Sequence, residues 1–121
     1  MSYDDNNIFA KILKGEIPCK KIYENEFILS FYDINPQKKI HALVIPKGKY
    51  IDLDDFSQNA SAEEMVGLLK GINAVAKKLG ISADTGKGYR ALANISEDGG
   101  QEVPHFHFHL FGGEKIGKMV T

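Results

Sequence analysis

His105-Phe106-His107-Phe108-His109 places three of the chain's four histidines at alternate positions. A β-strand has a side-chain period of two, so an extended backbone here projects all three imidazoles from one face. Phe106, Phe108 and Leu110 then cover the opposite face. The pattern predicts a strand over Pro104 to Phe111, ended by Gly112-Gly113, whose phenylalanine side packs on a helix and whose histidine side stays open for chemistry. A purification tag would give contiguous histidines, not alternation with phenylalanine.

Around this stretch the chain is ordinary. Its 121 residues suit one compact domain, residues 1–121. It is 43% hydrophobic and 26% charged, as soluble globular proteins are. A formal net charge of -1 gives no footprint for nucleic acid or an anionic membrane. Met-Ser-Tyr-Asp-Asp at the start has neither the basic residues nor the apolar run of a signal or anchor. Cys19 is the single cysteine, which excludes an intrachain disulfide and points to a reducing cytoplasm. No histidine lies near Cys19 in sequence, so it reads as an inert thiol.

Ile8, Phe9, Ile12 and Leu13 recur at helical spacing before Gly15 and Pro18, which predicts a helix of about two turns. Lys21 to Glu24, Phe27 to Ile34 and Ile40 to Ile45 read as strands; Glu24-Asn25-Glu26 supplies a turn and Asn35-Pro36 ends the second. Residues 47–60 read as a polar loop with weak helical character at best. Ser61 and Glu64 form a capping-box pattern. Behind it, Met65, Leu68, Leu69, Ile72, Val75, Ala76 and Leu79 make one apolar stripe that Gly80 closes. Tyr89 to Ile95 reads as a fourth strand, followed by a polar loop with Gly99-Gly100. The order predicts an α+β fold: a five-stranded antiparallel sheet with one long helix on one face and a short N-terminal helix.

Read from residues alone, the histidine strand suits three roles. Imidazoles can decorate a solvated sheet face. Histidines at i and i+2 can converge on zinc, with a third ligand completing a catalytic centre. Neutral imidazole, with an ordinary pKa of about 6.5, can instead act as nucleophile while a neighbour serves as acid. Charge developing on phosphoryl oxygens needs aimed donors, and the backbone amides around Gly99-Gly100-Gln101 are candidates.

Residues 105–111 match the His-φ-His-φ-His-φ-φ pattern of the histidine-triad superfamily. Four other stretches resemble the same family: Asn7-Ile8-Phe9-Ala10-Lys11-Ile12 with Gly15-Glu16-Ile17-Pro18, Phe31-Tyr32-Asp33-Ile34-Asn35-Pro36-Gln37, His41-Ala42-Leu43-Val44-Ile45-Pro46-Lys47, and Gly99-Gly100-Gln101-Glu102-Val103. The chain resembles the nucleotide-binding, Hint-type branch in its bacterial form. That resemblance implies a homodimeric purine nucleoside phosphoramidate hydrolase with no cofactor and no metal, acting on AMP or GMP conjugates, aminoacyl adenylates included. It implies that His107 attacks the α-phosphorus, that His109 contacts phosphoryl oxygen and assists the leaving amine, and that His105 and His41 orient the central ring. It places Asp33 on the ribose hydroxyls. Asn94, Gly100, Gln101, Glu102 and Val103 fall on the phosphate and leaving-group side. Ile8, Phe9, Ile12, Ile17, Phe31 and Ile34 form the slot for a purine base. From the residues alone, Ile8, Phe9 and Ile12 read as core, Asp33 as a turn residue, and His41 as a satisfied core histidine. Competing activities are dinucleoside polyphosphate hydrolysis and a nucleotide-binding regulatory module with little turnover.

The chain departs from its relatives at four places. A zinc-binding Cys-x-x-Cys of some bacterial members is replaced by Asn7 and Ala10. Glu102 stands where animal members carry serine, and a carboxylate there would favour cationic amine leaving groups such as lysine and repel polyphosphate tails. Pro104 replaces a common tyrosine, and Glu114-Lys115 replaces an arginine-containing pair.

Overall fold

The computed structural model describes residues 2–120; Met1 and Thr121 lie outside the described residues. The elements are α1 (Ile8–Leu13), β1 (Lys21–Glu24), β2 (Ile28–Tyr32), β3 (Ile40–Pro46), α2 (Leu53–Asn59), α3 (Ala62–Lys78), β4 (Arg90–Leu92) and β5 (Phe108–Gly112). Five antiparallel strands make one sheet in the order β1-β2-β3-β5-β4. The expected α+β fold is the one observed. The long α2–α3 excursion lets β5 return beside β3, so the sheet centre is built from segments some 65 residues apart.

Each face of the sheet carries its own core. On one face Ile28, Ala42, Val44, Phe106 and Leu110 pack with Leu68, Ile72 and Val75 of α3. Gly71 makes that approach possible: a Cβ there would lie 2.7 Å from Ile28 Cγ1. Leu69, expected in the α3 stripe, is 66% exposed and leaves it. On the other face Leu29, Phe31, Leu43 and Ile45 pack with Phe9 of α1. Phe9 of α1 therefore covers the His105 and His107 part of the histidine face, while the His109 end stays open.

Four boundaries moved. Residues 47–60 contain α2, capped by Asp52, whose side chain accepts the Asp55 N–H, with Asp54 and Asp55 in the first turn where the helix dipole favours anions. Two turns carry too few apolar repeats to show a helical period. Strand β4 stops at Leu92; beyond it Ser96 takes φ +59° and the turn closes on itself, the Gly100 N–H donating to Glu97 O and the Gln101 N–H to Ser96 O. The second strand contracts to Ile28–Tyr32, since Asp33 Oδ1 accepts the Asn35 N–H and turns the chain. The histidine strand begins only at Phe108. Upstream of it, the His105 N–H donates to Val103 O and the Phe106 N–H to Tyr50 O, so neither joins the ladder. The backbone still alternates its sides there: Phe106 enters the α3 core while His105 and His107 meet Phe9 on the other face.

The capping box of α3 is complete. Glu64 N–H donates to Ser61 Oγ at 3.1 Å, and Ser61 N–H to Glu64 Oε1 at 3.0 Å. The same carboxylate accepts the Tyr50 hydroxyl at 2.9 Å, tying the helix start to the loop after β3. Replacing Ser61 with Ala should cost about 1 kcal/mol, read as a lowered urea midpoint with unchanged slope. An unchanged midpoint would show that tertiary packing alone holds this end.

Candidate active site

Strands β3 and β5 bring His41 and His109 onto one face, and the extended residues before β5 add His107. The three rings line a cavity of about 370 Å³ together with Phe9, Asp33, Asn35, Gln37, Leu43, Asn94, Gly100, Glu102 and Val103. His107 and His109 meet edge to face with ring centroids 5.0 Å apart. His105 is wholly buried and lies behind this wall rather than in it.

The hydrogen bonds assign every imidazole proton. Pro46 O lies 2.8 Å from His105 Nε2; a carbonyl only accepts, so Nε2 carries the hydrogen and Nδ1 accepts from the Tyr3 hydroxyl at 2.6 Å. His105 O lies 2.7 Å from His107 Nδ1, so Nδ1–H donates and His107 Nε2 keeps its lone pair. The backbone N–H of Gln37 donates to His41 Nδ1 at 3.1 Å, which puts the His41 proton on Nε2. That proton is donated to His109 Nδ1 at 2.9 Å, leaving His109 with a proton on Nε2. One cavity thus holds an unprotonated ring nitrogen beside a ring N–H donor.

Burial keeps these rings neutral. It is the first cause of lowered proton affinity at all four histidines. His105 and His109 are pushed down to about 4, each helped by repulsion from His107. The hydrogen bond to the His105 carbonyl, and then Asp33 and Glu102, partly offset the burial at His107. Asp33 Oδ2, 3.5 Å from His41 Nε2, therefore faces a neutral N–H rather than a cation.

Comparison with known proteins matches the HIT domain over residues 14–116. The chain belongs to the HIT family. It is 52% identical over 120 residues to an uncharacterized 13.2 kDa HIT-like protein of Azospirillum brasilense, covering 99% of this chain and 96% of that one. It is 38% identical to the purine nucleoside phosphoramidase of Escherichia coli K12, covering 97% and 95%. Among solved structures, a HIT family hydrolase from Clostridium thermocellum superposes with a TM-score of 0.85 at 36% identity, covering 98% of this chain and 99% of that one.

The remaining expected HIT-site residues divide. Asn94, Gly100, Glu102 and Val103 line the histidine cavity. Gln101 does not: its amide nitrogen donates to Ile51 O at 2.6 Å and Val103 O at 3.0 Å, and its Oε1 accepts the Ser96 N–H. It braces the loop that carries Glu102. Two of the amides expected to meet phosphate are also engaged, the Gly100 N–H with Glu97 O and the Gln101 N–H with Ser96 O. Asp33 both makes its turn and faces the cavity. Of the apolar slot, only Phe9 reaches this cavity. Phe31 is core at 3% exposure, and Ile8 is 41% exposed. Ile12 and Ile17 line a depression of about 580 Å³ beside Pro18 and Cys19. Ile34, 85% exposed, edges another of about 650 Å³ that shares Pro18 and Cys19 with the former and Asp33 and His41 with the histidine cavity.

A metal is the alternative use of such rings. Asp33, His41 and His109 offer ligand atoms within 4.8 Å of one another. A histidine bound to metal through one nitrogen donates the N–H of the other to an acceptor. His41 Nδ1 instead receives the Gln37 N–H, so a metal on Nε2 would set two donors face to face. The donor set does not fit zinc. At positions 7 and 10, where the expected departure from a Cys-x-x-Cys pattern falls, Asn7 Oδ1 accepts the Ala10 N–H at 2.9 Å and Asn7 Nδ2 donates to Asp4 O at 2.7 Å, so a helix cap fastens the start of α1.

The sequence pattern missed Tyr3, Asn35 and Gln37. Asn35 and Gln37 lie in a stretch already recognised, and the turn before β3 was a usable signal. Nothing in sequence links Tyr3 to His105, 102 residues away.

Proposed function

We propose that the protein hydrolyses purine nucleoside phosphoramidates, and related aminoacyl adenylates, through a covalent nucleotidyl-His107 intermediate. The observation that carries this reading is the pairing of a lone pair on His107 Nε2 with a proton on His109 Nε2 in one cavity. His107 Nε2 forms a bond to the α-phosphorus as the P–N bond breaks. The negative charge of the bound phosphoryl group raises the proton affinity of the His109–His41 pair, so the pair takes up one proton from solvent as substrate binds and gives that proton to the leaving amine, returning to neutral. Water then attacks phosphorus and gives up a proton to the His109–His41 pair, the bond from His107 Nε2 to phosphorus breaks, and nucleoside monophosphate leaves. Asp33, an acceptor-only carboxylate, takes the ribose hydroxyls. The depression edged by Ile34, which shares Asp33 with the histidine cavity, receives the purine. The name of the Escherichia coli relative, a purine nucleoside phosphoramidase, agrees with this chemistry.

The charges of the cavity favour amines over polyphosphates. Its lining holds the carboxylates of Asp33 and Glu102 and no Lys or Arg. A second phosphate chain would meet like charge, whereas a protonated lysine side chain would meet Glu102. Coulomb attraction of about 1 kcal/mol for such an exposed pair gives roughly a fivefold preference. Wild-type protein should therefore show higher kcat/KM for lysine-linked than for glutamate-linked nucleoside phosphoramidate, and Glu102→Gln should shrink the ratio about fivefold. Equal ratios in both proteins would remove Glu102 from selectivity.

The test of the function itself is a panel of adenosine phosphoramidates, dinucleoside polyphosphates and aminoacyl adenylates on the purified protein. Fast turnover of the first and last supports the reading. Faster turnover of the polyphosphates overturns it, and tight monophosphate binding without turnover makes the protein a regulatory binding module. We further propose a cytoplasmic homodimer joined along β4, which pairs on one side only and forms one edge of the sheet. No helix among the described residues is long and apolar enough to cross a membrane.

A further inference from the structure

We infer that Tyr3 is a positioning residue for the nucleophile, acting on His107 through His105; the role rests on the covalent mechanism proposed above. The Tyr3 hydroxyl donates to His105 Nδ1 at 2.6 Å, and its ring meets the His105 ring edge to face, with centroids 5.6 Å apart and planes at 74°. His105 has no exposed surface and does not line the cavity, so it cannot touch substrate. Its two ring nitrogens are held from opposite sides, Nε2 by Pro46 O at the end of β3 and Nδ1 by Tyr3. The carbonyl of the same residue holds His107 Nδ1 at 2.7 Å and so sets the direction of the His107 lone pair.

Without the hydroxyl, Nδ1 becomes a buried acceptor with no partner, and the ring has reason to turn. A turned ring moves the carbonyl, and a nucleophile displaced by well under 1 Å loses about tenfold in rate. The segment that delivers Tyr3 is itself anchored. Asp5 pairs with Lys49 at 2.8 Å, and Asp4 O accepts both the side-chain and the backbone N–H of Asn7. The residue that clamps the central wall of the site thus comes from the far end of the chain, ahead of the first helix.

Tyr3→Phe isolates the hydroxyl because it keeps the ring packing. With an adenosine phosphoramidate, kcat and the single-turnover rate of nucleotidylation should fall about tenfold, while KM and AMP affinity stay within about twofold. Lys21→Ala, which removes an exposed ion pair with Glu24 on β1 and leaves the Tyr3 segment untouched, should stay within about twofold of wild type. A Tyr3→Phe rate within twofold of wild type, or a loss confined to KM, overturns the inference. The ring-nitrogen NMR spectrum separates this outcome from failure of the mechanism. In Tyr3→Phe, His105 Nδ1 should shift toward a non-bonded pyridine-type nitrogen and the His107 resonances should move with it. Unmoved His107 resonances overturn the coupling even if wild-type protein turns over no phosphoramidate.

Discussion

His107→Ala should lower kcat at least about a thousandfold, which corresponds to about 4 kcal/mol of barrier. The loss is large because no other group can take over the attack. His109 Nδ1 is occupied by His41, its Nε2 carries a proton, and His105 is sealed behind the cavity wall. Binding should survive, since Asp33, His109 and the depression edged by Ile34 remain. Calorimetric titration with AMP should give an affinity within a few-fold of wild type. Quenching a labelled phosphoramidate reaction in alkaline denaturant should trap nucleotide on wild-type protein and none on the variant. Label on the variant, or residual activity above about 1%, would move the nucleophile elsewhere.

The second large effect is acid destabilisation. Burial holds His105 down to about 4, whereas in the unfolded chain its pKa returns to about 6.5. Between these values the unfolded state binds a proton that the native state refuses. The stability contributed by neutral His105 is thus complete above pH 6.5 and is lost as pH falls toward 4. The difference is on the order of 3 kcal/mol. His109 acts in the same direction, by less than its shift suggests because water reaches it. Urea midpoints should decline steadily from pH 7 to pH 4.5, and a flat profile from 7 to 5 would refute the buried neutral ring. Activity should follow a related course. Since His107 is also held below its ordinary value, the acid limb of kcat/KM should have its midpoint below 6.5.

Much of this was legible because it follows from short-range periodicity. The α3 cap and stripe, the β2 and β3 runs, and the division of Phe106 and Leu110 from the histidines needed only periods of 3.6 and 2. Helix α2 was not legible, because seven residues with a single buried side chain show no period. The fold brings the four expected histidines close together, yet the alternation by itself gave no reason to place them differently. His105 and His107 differ by two residues and have the same chemical type, but one is a buried brace and the other lines the cavity. The apolar slot was legible as apolar and illegible as a place, since Phe31 goes to core while Ile34 goes to the surface.

Sequence by itself settled which residue types alternate, where helices start, and which family's pattern the chain carries. Among the helix starts this holds for α3 alone, whose capping box is local; the residue alternation is local too, and the family pattern is matched position by position. Protonation sites on the four rings came only from the folded molecule. They depend on Pro46 O, Gln37 N–H, the His105 carbonyl and the Tyr3 hydroxyl, of which Pro46 O and the Tyr3 hydroxyl are presented by segments remote from the ring they hold. An imidazole has two equivalent choices for its proton until a neighbour of fixed polarity removes one, and only packing brings such a neighbour within reach.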